Sequence, residues 1–236
     1  MPRQARSVFA NIPHHITQRG NRRSDVFFCD ENKDYYLELL QEYTIKHKVH
    51  ILAYCLMSNH IHLILLPTTE DGLQKVLKPL HMRYSQYINK QQKTTGILWQ
   101  GRFFSSPLDE RYTFFCFAYV ENNPVEAGIV EVVTDYKYSS SRHHTGIELN
   151  ALVYDYDIGV QKNGYLDYLQ SMAKQKNLKT IIKTNTRKGL PCGNDDFIKK
   201  LSAIIGRDLS FRDIGRPKKR VASPFLLKGS SFLSLY

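Results

Sequence analysis

The stretch that most limits how this chain can fold is a pair of apolar runs, residues 49–56 and 60–66, separated only by Met57-Ser58-Asn59. Runs of this length across so short a gap read as the two antiparallel strands of a hairpin. The flanking segments have a different period. Residues 31–47 place Tyr36, Leu39, Leu40 and Tyr43 on one helical face, and residues 71–90 do the same with Leu73, Val76, Leu77, Leu80, Tyr84 and Tyr87. Pro79 is expected to kink the second helix. A first strand is expected over residues 7–17, at an edge or a bulge because of Pro13, with a loop over residues 18–23. Residues 98–107 read as a further strand, and residues 111–120 as a short, very apolar helix stopped by Asn122-Asn123-Pro124. This order predicts an α+β fold, an antiparallel sheet with helices on one face. After a looser stretch at residues 135–165, residues 194–205 read as one amphipathic helix with Phe197, Leu201 and Ile204 on a face. No segment is repeated.

Charge is distributed unevenly along this framework. The 236 residues carry a net charge of +11, and residues 171–236, with 15 Lys and Arg against 4 Asp and Glu, hold the whole excess. An acid-free run at residues 1–24 adds Arg3, Arg6, Arg19, Arg22 and Arg23. Such asymmetry suits a polyanionic partner, because each cation near a phosphate releases condensed counterions. A merely solvated tail is the alternative. The expected division is therefore a domain over residues 1–145 and a basic, partly helical C-terminal extension over residues 146–236. The four cysteines, Cys29, Cys55, Cys116 and Cys192, show no Cys-x-x-Cys spacing, which speaks against a zinc ribbon. No run approaches the roughly 18 apolar residues of a membrane span, and the N-terminus has no apolar signal segment. A cytoplasmic protein is expected.

Chemistry concentrates in Asn59-His60-Ile61-His62-Leu63. Residues two apart on a strand share a face, so His60 and His62 project together while Ile61 and Leu63 pack behind them. Two imidazoles so placed can chelate a divalent metal; two unrelated histidines are the alternative for so short a pattern. The histidine-triad hydrolases are excluded, because their third histidine would fall at Ile64. On the last apolar helix, Tyr119 and Asn123 lie four apart and share a face. A phenol is a competent phosphoryl nucleophile beside a metal, but among 15 tyrosines a core role for any one is the common case.

Together these segments resemble the REP-associated tyrosine transposases, a branch of the IS200-like, single-tyrosine HUH transposases. The resemblance runs through Pro13-His14-His15-Ile16-Thr17-Gln18-Arg19-Gly20-Asn21, residues 53–63, Trp99-Gln100-Gly101-Arg102-Phe103, Asn123-Pro124-Val125-Glu126-Ala127-Gly128 and Tyr138-Ser139-Ser140-Ser141. The tail also matches, from Gly189 through Phe197 and again at Gly215-Arg216-Pro217, although Leu190 stands where relatives carry a basic residue. The resemblance implies a ferredoxin-like sheet, His60 and His62 as metal ligands, and Asn123 completing the shell around Mg²⁺ or Mn²⁺. It implies Tyr119 as the nucleophile, with Tyr112 the nearest rival, and single-stranded REP-like DNA hairpins as substrate. A monomer or a homodimer, associated with the nucleoid, is compatible with it.

For DNA contact, Gln18, Arg19, Arg22 and Arg23 form a polar, basic loop, and Gln100 and Arg102 flank Trp99. A core position for Trp99 and a salt-bridged surface position for Arg102 are equal alternatives. Arg216, Lys218, Lys219 and Arg220 read as a backbone-binding arm. Two other functions stay open: a domesticated protein that binds hairpins without cutting, and a phosphodiesterase that uses water while Tyr119 is structural.

Overall fold

The computed structural model of the chain describes residues 7–211. Four strands, β1 (His14–Arg19), β2 (Val49–Met57), β3 (His60–Pro67) and β4 (Phe104–Pro107), form one sheet in the order β2-β3-β1-β4. Every pairing is antiparallel. This is the expected ferredoxin-like arrangement. The hairpin forms as its spacing predicts, with Met57 opposite His60.

Helix α1 (Asp30–Lys46) connects β1 to β2, and α2 (Gly72–Gln91) connects β3 to β4. They pack on each other and bury Tyr36, Leu39, Leu40, Leu73, Val76, Leu77, Leu80 and Tyr84, the apolar stripes the sequence carries. Beneath them the sheet presents Ile16, Ile61, Leu63 and Leu65, all fully buried. Each such side chain contributes roughly 1.5–3 kcal/mol. Pro79 lies inside α2, which nonetheless runs as one helix from Gly72 to Gln91.

The opposite face of the sheet is also covered, so the helices do not lie on one face alone. Helix α3 (Glu110–Glu121) runs on through Asn122 into the single turn α4 (Asn123–Glu126), and α5 (Ser141–His144) follows. Then come α6 (Tyr165–Ala173), α7 (Lys176–Lys188) and α8 (Asp195–Ile205). α3 packs on β2 and β3, and α7 packs on β4, β1 and α3. Val153, Ile158, Tyr165, Leu169, Ile182 and Cys192 join the same buried cluster as the sheet residues. The basic extension is thus continuous with the core at least as far as Cys192.

Two strands are shorter than their sequence period suggests. β1 begins only at His14, because Asn11 takes a positive φ of 58° and the chain turns before Pro13. Its end reaches Arg19, so Gln18 and Arg19 belong to the strand and not to a loop. Residues 98–103 form no strand beyond an isolated bridge from Trp99 to Gly20. Gly20 is also approached closely by the turn that follows it: a Cβ there would lie 2.1 Å from the Ser24 carbonyl oxygen, so only glycine fits.

Candidate active site

The outward face of β1 carries His15, Thr17 and Arg19, and that of β3 carries His60, His62 and Ile64, with Thr17 opposite His62 and Arg19 opposite His60. The two β3 rings stand edge to face, their centroids 5.0 Å apart. Each is held through Nδ1. His60 Nδ1 lies 2.6 Å from Asn59 Oδ1, and His62 Nδ1 lies 3.0 Å from His15 Nε2. His15 in turn reaches Thr186 Oγ1 on α7 through Nδ1, at 2.8 Å. A consistent set of tautomers gives His62 Nδ1–H donating to His15 and His15 Nδ1–H donating to Thr186. Nε2 of both His60 and His62 is then left with a free lone pair.

Burial keeps these rings neutral. It lowers the His60 pKa to about 4, with Arg19 reinforcing the shift, and the His15 pKa to about 3. His62 is pushed well below its ordinary value by burial, then by His60, His15, Arg19 and Lys183. A neutral imidazole with a free nitrogen is the form that binds metal.

Tyr119 stands over this pair. Its ring meets His62 edge-on at 5.3 Å and His15 at 5.5 Å. Burial raises its phenol above the ordinary range, Cys116 and Glu126 add to that, and Arg187 and Arg19 oppose it. One turn on, Asn123 donates through Nδ2 to the Tyr119 carbonyl at 2.6 Å, which leaves Oδ1 as the atom free to accept or ligate. Among the described residues no three His, Cys, Asp or Glu side chains are arranged to hold a metal.

These groups open into one cavity of about 790 Å³. The family model described as "Transposase IS200 like" matches residues 8–123, which span the whole sheet, both β3 histidines, Tyr119 and Asn123. Residues 8–123 belong to the IS200-like transposase family. A REP-associated tyrosine transposase of Haemophilus influenzae is 25% identical over 158 residues, covering 59% of this chain and 90% of that relative. A solved REP-associated tyrosine transposase bound to a REP hairpin matches with a TM-score of 0.52 and 20% identity, covering 67% of this chain and 93% of the other. The latter is a likeness of fold.

In this transposase His60, His62, Tyr119 and Asn123 line one cavity together with Arg19, Arg23 and Gln100. Other residues anticipated as DNA contacts lie elsewhere. Gln18 is buried, on the opposite face of β1 from Arg19, and its Nε2 donates to the Gly101 carbonyl at 2.6 Å. Trp99 is a core residue, 5% exposed and packed against Tyr36, His81 and Tyr84. It has no free face for a base. Arg102 borders a different cavity, beside Lys78 and Phe103. Arg22 is exposed in a left-handed turn (φ 54°) and does not border the histidine cavity. Arg216, Lys218, Lys219 and Arg220 lie outside the described residues.

Sequence reasoning passed over two parts of the site. His15 shares a strand face with Thr17 and Arg19 by the same alternation that pairs His60 with His62, so its position was readable. α7 was not recognised as a helix, although Lys176, Thr180, Lys183 and Arg187 recur at helical spacing.

Proposed function

We propose that this transposase cuts and rejoins single-stranded DNA through a covalent bond to Tyr119, on REP-like hairpins, at a site that uses Mg²⁺ or Mn²⁺. The observation that carries this reading is the edge-on packing of Tyr119 against His62, at 5.3 Å, inside a cavity bordered by arginines. A divalent ion fits the donor set: two neutral imidazole Nε2 atoms from His60 and His62, and the Asn123 Oδ1. When bound there, it would supply the positive charge that draws electrons from the scissile phosphate.

The chain's own groups account for the rest. The Tyr119 hydroxyl attacks phosphorus, the bond from phosphorus to the 3′ oxygen breaks, and a 5′-phosphotyrosine forms while the departing oxygen takes up a proton. The buried phenol has to lose its proton in that step. Arg19 and Arg187 favour the phenolate, working against the desolvation that holds the proton on. Rejoining is the reverse displacement by another 3′-hydroxyl, so no external energy source is needed.

A hairpin oligonucleotide with a single-stranded flank, incubated with the protein and Mg²⁺, should give a covalent adduct that survives denaturing electrophoresis. Tyr119→Phe should abolish the adduct and leave binding within about twofold. Cleavage that persists in Tyr119→Phe would mean that water is the nucleophile. Binding without cleavage by the native chain, with either metal, would make it a hairpin-binding protein.

A further inference from the structure

Helix α7 lies outside residues 8–123, the segment the family model matches, yet it forms one wall of the active-site cavity. Lys176, Lys179, Lys183 and Arg187 border the cavity from α7, as do Arg19 and Arg23 from β1 and the turn after it. One acidic side chain, Glu126, borders it too, and it is already paired with Lys179. Lys176, Lys183 and Arg187 have no ion-pair partner among the described residues. Arg19 feels this crowding: its pKa is lowered by burial and then by Arg187 and Arg23. Gathering like charges around one cavity costs stability, and that cost is relieved only when an anion enters.

The helix is fixed in place. Thr186 is hydrogen-bonded to His15, and Ile182 is buried in the core. Gly189 ends the helix in the left-handed conformation (φ 68°). The chain then runs along β4, where the Cys192 N–H donates to the Pro107 carbonyl and Ser106 Oγ donates to the Leu190 carbonyl. The lysines therefore stand on a rigid support, not on a tail.

We infer that the cavity-facing side of α7 is a phosphate-binding wall for the single strand. Lys176, Lys183 and Arg187 grip backbone phosphates from α7, and Arg19 and Arg23 grip them from β1 and the turn after it. This rests on the reading of Tyr119 as the nucleophile, because Tyr119 borders the same cavity. The ligand chemistry is a run of phosphodiesters on a flexible strand, and the wall carries no demand on base sequence.

The test uses the full chain carrying Tyr119→Phe, so that cleavage does not complicate binding, and a labelled hairpin oligonucleotide with a single-stranded flank. The slope of log affinity against log salt falls by about 0.7 for each single-strand phosphate contact removed. The triple substitution Lys176→Ala, Lys183→Ala, Arg187→Ala should therefore lower the slope by about 2 and weaken binding at least tenfold at 0.1 M salt. Exchanging the same positions for Arg, Arg and Lys should restore both. Lys200→Ala, on α8 and away from the cavity, should change neither. A triple variant with an unchanged slope would overturn the wall. The charge-retaining variant failing to recover would do the same, because it would show that packing and not charge was lost. Absence of any adduct from the native protein would instead count against the nucleophile assignment and leave the salt slopes to be read independently.

Discussion

His15 touches neither of the free Nε2 atoms of the β3 pair, yet it fixes which way His62 faces. An imidazole that ligates through Nε2 needs an acceptor for its Nδ1–H, and His15 Nε2 at 3.0 Å is that acceptor. Removing it frees the ring to rotate and to change tautomer. His15→Ala should lower affinity for Mn²⁺ by roughly 10–100-fold, read by calorimetry on the full chain, with His15→Asn recovering part of it. Equal affinities in all three proteins would reduce His15 to a packing residue. The same pair of strands marks how far bare sequence carries a site. Strand alternation alone sets His60 and His62 side by side, and would have set His15 with Thr17 and Arg19. Alternation has no means of choosing one tyrosine from 15. That choice depends on a helix meeting a sheet across more than fifty residues of chain, which only packing, or likeness to a family, supplies.

Helix α3 carries Tyr119, and a buried carboxylate two residues later anchors the end of that helix. Glu121 is fully buried. Its Oε1 accepts from Ser140 and lies 2.6 Å from His144 Nδ1 on α5, and its Oε2 accepts from Tyr165 on α6 at 2.8 Å. Two segments of the chain, α5 with the preceding Ser140 and α6, are thereby tied to the end of α3. Glu121→Ala would strand the Tyr165 hydroxyl and His144 Nδ1, while Ser140 Oγ keeps its bonds to the Tyr54 backbone, at a cost of about 2–6 kcal/mol. A chain of this size should then melt roughly 10 °C lower, and adduct formation should fall further than hairpin binding does. If melting shifts but adduct yield per folded molecule does not, Glu121 supports the fold without positioning Tyr119. Neither α6 nor α7 was apparent from the sequence, for different reasons. Tyr165, Leu169 and Met172 do recur at helical spacing in α6, but the segment is short and follows a long irregular stretch. α7 buries Asn185 and Thr186 beside a single fully buried apolar residue, Ile182, so its inward face is half polar, and its only apolar residues, Leu178, Ile181 and Ile182, are confined to little more than one turn. Asn185 is bonded to Pro191 just past the helix end and Thr186 to His15, a partner that arrives only once the sheet has formed.

Acid should unfold the molecule partly through His14, a residue apart from the chemistry. His14 lies on the same face of β1 as Ile16, opposite Leu65, and is fully buried. Its Nε2 accepts from the Phe9 N–H at 3.3 Å, and its Nδ1 donates to the Ile12 carbonyl at 2.7 Å, so both ring nitrogens are committed in the neutral form. Burial lowers its pKa from 6.5 to about 4, against a small opposing effect of the Ile12 carbonyl. A proton would fill the lone pair that Phe9 uses and place a charge in the core. In the unfolded chain the same ring titrates near its ordinary value. Above about pH 6.5 both states are neutral and the residue contributes no pH dependence. As the pH falls from there towards 4, the unfolded state binds a proton that the folded state refuses, and stability declines by up to about 1.4 kcal/mol per pH unit. Over the whole window this is roughly 3 kcal/mol, a large part of the 5–15 kcal/mol that ordinarily holds a domain together. His14→Gln keeps an acceptor and a donor but cannot be protonated in this range. Urea midpoints at pH 7 and pH 4.5 should therefore differ less in His14→Gln than in the native chain, by the equivalent of about 2–3 kcal/mol. The variant should lose some stability at pH 7, where the fit of the imidazole is lost. An equal drop between the two pH values in both proteins would show that His14 takes up its proton as readily when folded as when unfolded.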